Sequence, residues 1–486
     1  MKQRIFHPVL GLLLILSFQP APPAGQSAQS KLSPELAAQL ASLPAGQTQA
    51  VWVYLTDKGF ESDSPDLLKS ALQERQQTLR ERCLRRRAKL RPGGEMTDFE
   101  DIAVFPAYSE RIRTMVPRVR IVSRWLNALS VEAGAREASA MASLGFVSRL
   151  EPVAAFRRGD DQEAVPQSAA PPAALFFDPF YGPSSTQLKQ INVPALHLMG
   201  LTGQGVLVCL LDSGFHKSHP VFRMARLLAE WDFVNNDGDV QQNPSDPEDY
   251  SDSHGTGTWS ALGGFMPGRL IGPAFRAEFI LGKTETDQFE RPIEEDYWVA
   301  GLEWAESLGA DVVSSSLGYT DWYSFKDMDG RTAVTTRAAD RAADLGLVVV
   351  NAAGNERNDP WGHIIAPADG FKVIAVGAVN SSGLISSFSS PGPTYDGRIK
   401  PEVCALGVNT WLARLNADGS PTYGSGSGTS FATPLAAGVV ALLLEAHPDW
   451  TPNDVRAALL ATASRSANPD NDYGWGIINA LAAINK

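Results

Sequence analysis

Residues 424–434 read Gly-Ser-Gly-Ser-Gly-Thr-Ser-Phe-Ala-Thr-Pro and run directly into an apolar helical pattern, Leu435 to Ala446. Ser430 falls where the small-residue loop gives way to the helix. Backbone N–H groups there lack intrahelical partners, and the helix end carries partial positive charge. An isolated serine at such a place is usually an N-cap. The rest of the chain changes that reading. It also supplies an aspartate ending an apolar strand, a histidine opening a Gly-rich helix and an asparagine in a small-residue loop.

Around these positions the pattern is one of alternating strands and helices. Val206 to Leu211 is a continuous apolar run, and Phe279–Gly282, Asp311–Ser315, Leu347–Asn351 and Val373–Val379 read as further strands. The helices Asp296–Ser307 and Thr332–Leu345 fall between them. Apolar strands separated by helices predict an α/β domain with a mostly parallel sheet covered on both faces. In such sheets function gathers at the carboxyl ends of the strands.

Asp212 ends the first of these strands and is followed by Ser213-Gly214. His254 lies in Ser253-His254-Gly255-Thr256-Gly257-Thr258, ahead of a small-residue helix. Of seven histidines it is the one whose neighbours are small enough for another segment to approach closely. Asn355 follows a strand, in Asn351-Ala352-Ala353-Gly354-Asn355-Glu356, where its amide could donate to a developing oxyanion. Singly, each has an ordinary structural reading as a turn residue, a surface histidine or a loop-bridging amide. Together they stand in the order Asp, His, Asn, Ser, each at a strand end or a helix start.

Leu211-Asp212-Ser213-Gly214, Ser253-His254-Gly255-Thr256, Ala353-Gly354-Asn355 and Gly428-Thr429-Ser430-Phe431-Ala432-Thr433-Pro434 resemble the four active-site motifs of the subtilisin-like serine proteases, peptidase family S8. The likeness spans about residues 187–486. It implies a subtilisin-like catalytic domain in which Asp212, His254 and Ser430 form the triad and Asn355 lines the oxyanion hole. It further implies that Ser316, Leu317, Gly318, Ala353 and Gly354 contact substrate. The Ile293–Asp296 region is expected at the opposite cleft edge, made acidic by Glu294, Glu295 and Asp296. No cofactor is needed for this chemistry. A structural calcium ion is unsupported at the usual site: Gly263–Pro273 contains no Asp or Glu, and Val221 stands where a carboxylate is usual. An acidic loop with Asp237, Asp239, Asp246, Glu248 and Asp249 leaves metal binding open elsewhere, although its spacing is not that of an EF-hand.

The front of the chain has a different character. Lys2 and Arg4 precede a short apolar core, Val9 to Phe18, which reads as a secretory signal over residues 1–25. The strand Gln49–Leu55, a helical stretch Pro65–Leu90 dense in Arg, a strand within Arg120–Val131, a helix Ala135–Leu144 and a strand Phe146–Pro152 predict a small α+β domain over residues 29–155. By position, size and element order it resembles a subtilase propeptide, which implies a folding aid and intramolecular inhibitor. A Pro-, Ala- and Ser-rich linker over 156–186, holding Arg157-Arg158, is where maturation cleavage is expected. The catalytic domain then occupies residues 187–486.

Charge follows the same division. The formal net charge is -12, with about +4 over residues 26–160 and about -18 over residues 161–486. This balance argues against a nucleic-acid partner and gives the two parts opposite signs that suit docking. Three cysteines make no disulfide framework, and the pairing of Cys209 with Cys404 stays open. No later segment reads as a transmembrane helix, so the expected product is a secreted monomer acting on polypeptides with no membrane partner after signal removal. Two other enzyme classes lack their signatures. Gly282-Lys283-Thr284 lacks the glycine of a nucleotide-binding loop, since Ala277 stands there, and there is no His-Glu-x-x-His. The rival reading is a catalytically silent subtilisin fold serving as a binding or scaffold protein.

Overall fold

The computed structural model describes residues 28–60, 65–156, 178–242, 252–285, 293–320 and 323–486. The leader, most of the linker and the acidic positions 246, 248 and 249 lie outside them.

Seven strands, all parallel, form the central sheet in the order Val403–Leu406, Ile374–Val379, Val348–Ala352, Val312–Ser315, Leu207–Asp212, Glu278–Lys283, Arg226–Asp232. The first strand in sequence, Leu207–Asp212, is central. From it the chain goes to the edge strand Arg226–Asp232, returns to Glu278–Lys283 between the two, then crosses to Val312–Ser315 on the other side. The strand order therefore reverses between these two strands, and a crevice opens at their carboxyl ends. Asp212 and Ser315 end the two strands at that point.

Two helices cover each face. Ser253–Gly263 and Thr429–Ala446 pack on one, in a core that includes Val208, Leu210, Val350, Val376 and Leu435. The helix Thr429–Ala446 is long and apolar enough to cross a membrane, but 89% of it is buried, as befits a core helix. Glu295–Leu308 and Val334–Asp344 cover the other face, over Cys209, Leu211, Val313 and Val349. Cys209, in this core, and Cys404, in the edge strand Val403–Leu406, are both free, buried thiols, which answers the pairing question.

The front domain is a four-stranded antiparallel sheet in the order Arg118–Ser123, Ala128–Ala133, Gln49–Leu55, Val147–Pro152. Alternation along a strand sends successive side chains to opposite faces. Val51, Val53 and Leu55 join Leu129 and Val131 beneath the domain's own helices. Trp52 and Tyr54, with Trp125, face the other way and share a core with the helices Glu295–Leu308 and Val334–Asp344. The strand expected within Arg120–Val131 is a hairpin, because Asn127 adopts φ +48° and turns the chain. The single helical stretch Pro65–Leu90 is two helices, Pro65–Thr78 and Glu81–Leu90.

Leu435 is fully buried where the long helix crosses the sheet. Leu435→Ala should cost about 2–5 kcal/mol through lost burial and the cavity left behind. A thermal unfolding midpoint unchanged from that of the parent would contradict this packing.

Candidate active site

Asp212 is held in place before its partner arrives. The Ser213 N–H donates to its Oδ1 at 2.8 Å and the Thr258 hydroxyl to its Oδ2 at 2.9 Å. His254 Nδ1 then meets Oδ1 at 2.6 Å, with both side chains buried. Gly255 makes this possible, since a Cβ there would overlap the Gly214 carbonyl oxygen. Gly214 itself turns away from the strand at φ +137°. With Nδ1 committed to a carboxylate, the ring's Nε2 is left buried and without a hydrogen-bond partner among the described residues. Phe431, the neighbour of Ser430, lies against this ring at 5.5 Å between centroids.

Ser430 is not the helix cap. Gly428 takes that position and the helix begins at Thr429, which places Ser430 in the first turn. Gly424–Gly426, read from sequence as part of the small-residue loop, end a strand Pro421–Gly426 paired with Thr410–Leu415. Gly428 N–H donates to the Gly407 carbonyl at 2.8 Å, and this fixes where the helix starts. The Ser430 hydroxyl donates to the Ser316 carbonyl at 3.4 Å, a long bond. Catalytic hydrogen bonds are often loose until substrate is bound.

Asn355 is oriented by its acceptor. Its Oδ1 takes the Thr429 N–H at 2.9 Å and the Thr429 hydroxyl at 3.0 Å. The opposite face of the amide therefore presents Nδ2. A Cβ built on Gly428 would stand 3.7 Å from both that Nδ2 and the Ser430 nitrogen. Two donors thus border one small space next to Ser430, as an oxyanion pocket requires.

The expected substrate-contacting residues line the same crevice. Ser316 Oγ donates to the Ser430 carbonyl at 2.7 Å, and Asn351 Nδ2 to the Leu317 carbonyl at 2.9 Å. Gly318 lies against Ile365, which leaves no room for a Cβ. Ala353 is buried. Gly354, at φ +112°, backs onto the Glu356 carboxylate, a neighbour the sequence pattern did not single out.

The opposite edge departs from expectation. Residues Ile293–Glu294 form an antiparallel pair with Ala155–Phe156, so the front domain's tail occupies the segment expected at that edge. Glu295 and Asp296 are fully buried beneath that domain and do not form an exposed acidic rim. Glu295 accepts from Trp52 Nε1 (3.1 Å), the Ala154 N–H (3.1 Å) and the Tyr323 hydroxyl (2.8 Å). Asp296 takes Arg120 at 2.7 Å and the Ser130 hydroxyl. Burial pushes the Glu295 carboxyl up to about 8.

The residues at the usual calcium position do not fit the ion. Val221 is packed in the core, and the Phe265–Ile271 hairpin offers no carboxylate. Asp239 is taken by Lys217 at 2.8 Å. Among the described residues no cluster of metal-ligating side chains is present.

With this geometry in place, comparison with known proteins is informative. Residues 203–476 match the model of the subtilase family, and residues 50–167 match a peptidase S8 propeptide domain of Bacteroidota. Subtilisin amylosacchariticus of Bacillus subtilis subsp. amylosacchariticus is 37% identical over 305 residues, covering 61% of this chain and 70% of its own. Subtilisin of Bacillus pumilus shows the same identity over 97% of its length. Fervidolysin from Fervidobacterium pennivorans, described as a keratinolytic enzyme related to subtilisin, shares the fold at 20% identity with a TM-score of 0.63, over 92% of this chain and 62% of its own. The class is that of serine peptidases, hydrolases acting on peptide bonds. Within it, the chain belongs to the subtilase family and carries an S8 propeptide domain at its front.

The raised Glu295 carboxyl has a signed consequence. The folded chain holds a proton that the unfolded chain releases near pH 4.5. The stabilisation is complete below that pH and is lost as pH rises toward about 8. In a Ser430→Ala background, the unfolding midpoint should fall between pH 5 and 8 more steeply than in Glu295→Gln. Parallel pH profiles for the two chains would overturn this.

Proposed function

We propose that the chain is a secreted endopeptidase made as an inactive precursor. Residues 1–25 direct export, 29–155 form the propeptide, 156–186 link, and 187–486 catalyse. The observation that carries this reading is the 2.6 Å Asp212–His254 contact placed beside Ser430 and the two-donor pocket. The front-domain tail, lying along the Ile293–Glu294 edge, supports the inhibitor role.

Ser430 Oγ attacks the scissile carbonyl carbon and transfers its proton to His254 Nε2, forming a tetrahedral oxyanion. Asn355 Nδ2 and the Ser430 N–H donate to that oxygen. Collapse breaks the C–N bond, and His254 returns the proton to the leaving amine. Asp212 stabilises the imidazolium while remaining ionised. Water then repeats the sequence on the acyl-enzyme and frees Ser430. The polypeptide lies extended between Ser316–Gly318 and Ile293–Glu294, with Ala353 and Gly354 walling the side chain before the cut. The mature enzyme acts as a monomer, outside the cell or in the periplasm.

The parent chain should hydrolyse casein and lose its front domain, whereas Ser430→Ala should do neither. Asn355→Ala should lower kcat by about 10²–10³-fold, the size of effect known for the corresponding donor in subtilisin itself. If the parent and Ser430→Ala both retain the front domain and both leave casein intact, the peptidase reading fails. Amino-terminal sequencing of the secreted form should place its start within or beyond the linker; a start before about residue 140 contradicts the assignment of the propeptide.

A further inference from the structure

A second histidine–aspartate pair joins the turn after the strand Leu207–Asp212 to the start of the helix Ser253–Gly263. In the first pair the turn supplies Asp212 and the helix supplies His254, 2.6 Å apart. In the second the roles are exchanged. The turn supplies His216, whose Nδ1 lies 3.3 Å from Oδ2 of Asp252, the residue that precedes the helix. The Asp252 carboxylate makes no capping hydrogen bond to that helix.

The second pair is built into the fold. The His216 N–H donates to the Thr256 hydroxyl at 2.7 Å, and that hydroxyl donates to the Asp252 carbonyl at 2.5 Å. A Cβ on Gly214 would stand 3.4 Å from Asp252 Cβ, so the turn and the helix start touch here as well. The His216 side chain is 17% exposed and that of Asp252 4%. Burial raises the Asp252 carboxyl, and the His216 ring opposes the rise. The Ser218 hydroxyl meets His216 Nε2 at 2.9 Å. A hydroxyl donates to a neutral ring or accepts from a protonated one, so this contact suits both states of His216. The other titratable groups of the turn are bound elsewhere. Lys217 is held by Glu230 at 2.7 Å and Asp239 at 2.8 Å, and His219 Nε2 by the Thr422 carbonyl at 3.0 Å. Among the described residues, Asp252 is the carboxylate that faces His216.

We infer that His216 is a positioning residue for the peptidase reaction. Through Asp252 it holds the helix start against the turn, and so holds His254 on Asp212. It also offsets the charge of Asp252, which would otherwise act on the His254 ring two residues away. A negative charge beside that ring stabilises its protonated form, which cannot take the proton of Ser430. His216 thereby keeps the general base available at lower pH. This rests on the peptidase reading above and adds to it a residue outside the triad.

The test follows the His254 ring directly. The full Ser430→Ala chain, with its histidine rings labelled with carbon-13, is titrated by NMR, and His254→Ala in the same chain identifies the resonance. His216→Gln removes the imidazole and keeps an amide donor for Asp252. The titration midpoint of His254 should then rise by about half a pH unit. Asp252→Asn removes the carboxylate and should lower the midpoint by about the same amount; it serves alone if His216→Gln does not fold. The double variant should titrate close to the parent, because both charges are gone. With Ser430 intact, the acid limb of kcat/KM on a chromogenic peptide should move in the same directions.

The inference is overturned if the single variants leave the His254 midpoint where it is in the parent, or move it in the same direction. A fall in thermal stability without a shift would make the pair structural only and would equally overturn it. Failure of the parent chain to cleave any peptide would sink the peptidase reading and leave the titration result standing.

Discussion

A histidine ring can rest 2.6 Å from the Asp212 carboxylate only because a helix begins in contact with the turn after a strand. Gly255 and Gly214 are what permit that approach. Once Nδ1 is fixed on Asp212, the direction of Nε2 is fixed as well, and the rest of the crevice is arranged around it. The reversal of strand order between Leu207–Asp212 and Val312–Ser315 supplies the opening. The long helix from Thr429 brings Ser430 and a backbone donor to it. Asn355 is turned to face it by accepting from Thr429.

The front domain is held by two kinds of force that do different work. Trp52, Tyr54 and Trp125 share an apolar core with the two helices beneath them, and burial of that area is the driving term. The buried ion pairs add less than their number suggests, because desolvation offsets most of the attraction between charges. Their asymmetry matters more. Removing one partner from such a cluster costs about 3–5 kcal/mol, and Glu306 sits buried among Arg86, Arg87 and Arg124.

Particular residues mark how far the sequence could be read. The strands of the parallel sheet were legible because continuous apolar runs between helices have few other readings. The four motifs that resemble those of the family were legible because each carries small residues at a strand end or helix start. The hairpin at Asn127 was not, since the turn interrupts an apolar stretch with no glycine or proline to mark it. The strand Pro421–Gly426 was hidden by its glycines, which ordinarily signal loop. Glu295 and Asp296 looked like a solvated rim, because nothing local indicates that a distant tryptophan and arginine will cover them. Cys209 and Cys404 left their pairing undecided until their free, buried thiols could be seen.

By itself, then, the sequence determined the fold class, the family, and the opposite charges of the two parts, and it proposed Asp212, His254 and Ser430 as the reacting groups. These are carried by local pattern and composition, which survive without knowledge of long-range contacts. Only the tertiary structure decided that Ser430 sits inside the first helical turn, that the tail of the front domain pairs with Ile293–Glu294, and that Arg82 and Arg86 seat on Gly309 and Gly346, far away in sequence. Those facts depend on which surfaces meet. An arginine on a helix carries the same local signature whether it ends in water or against a buried carboxylate.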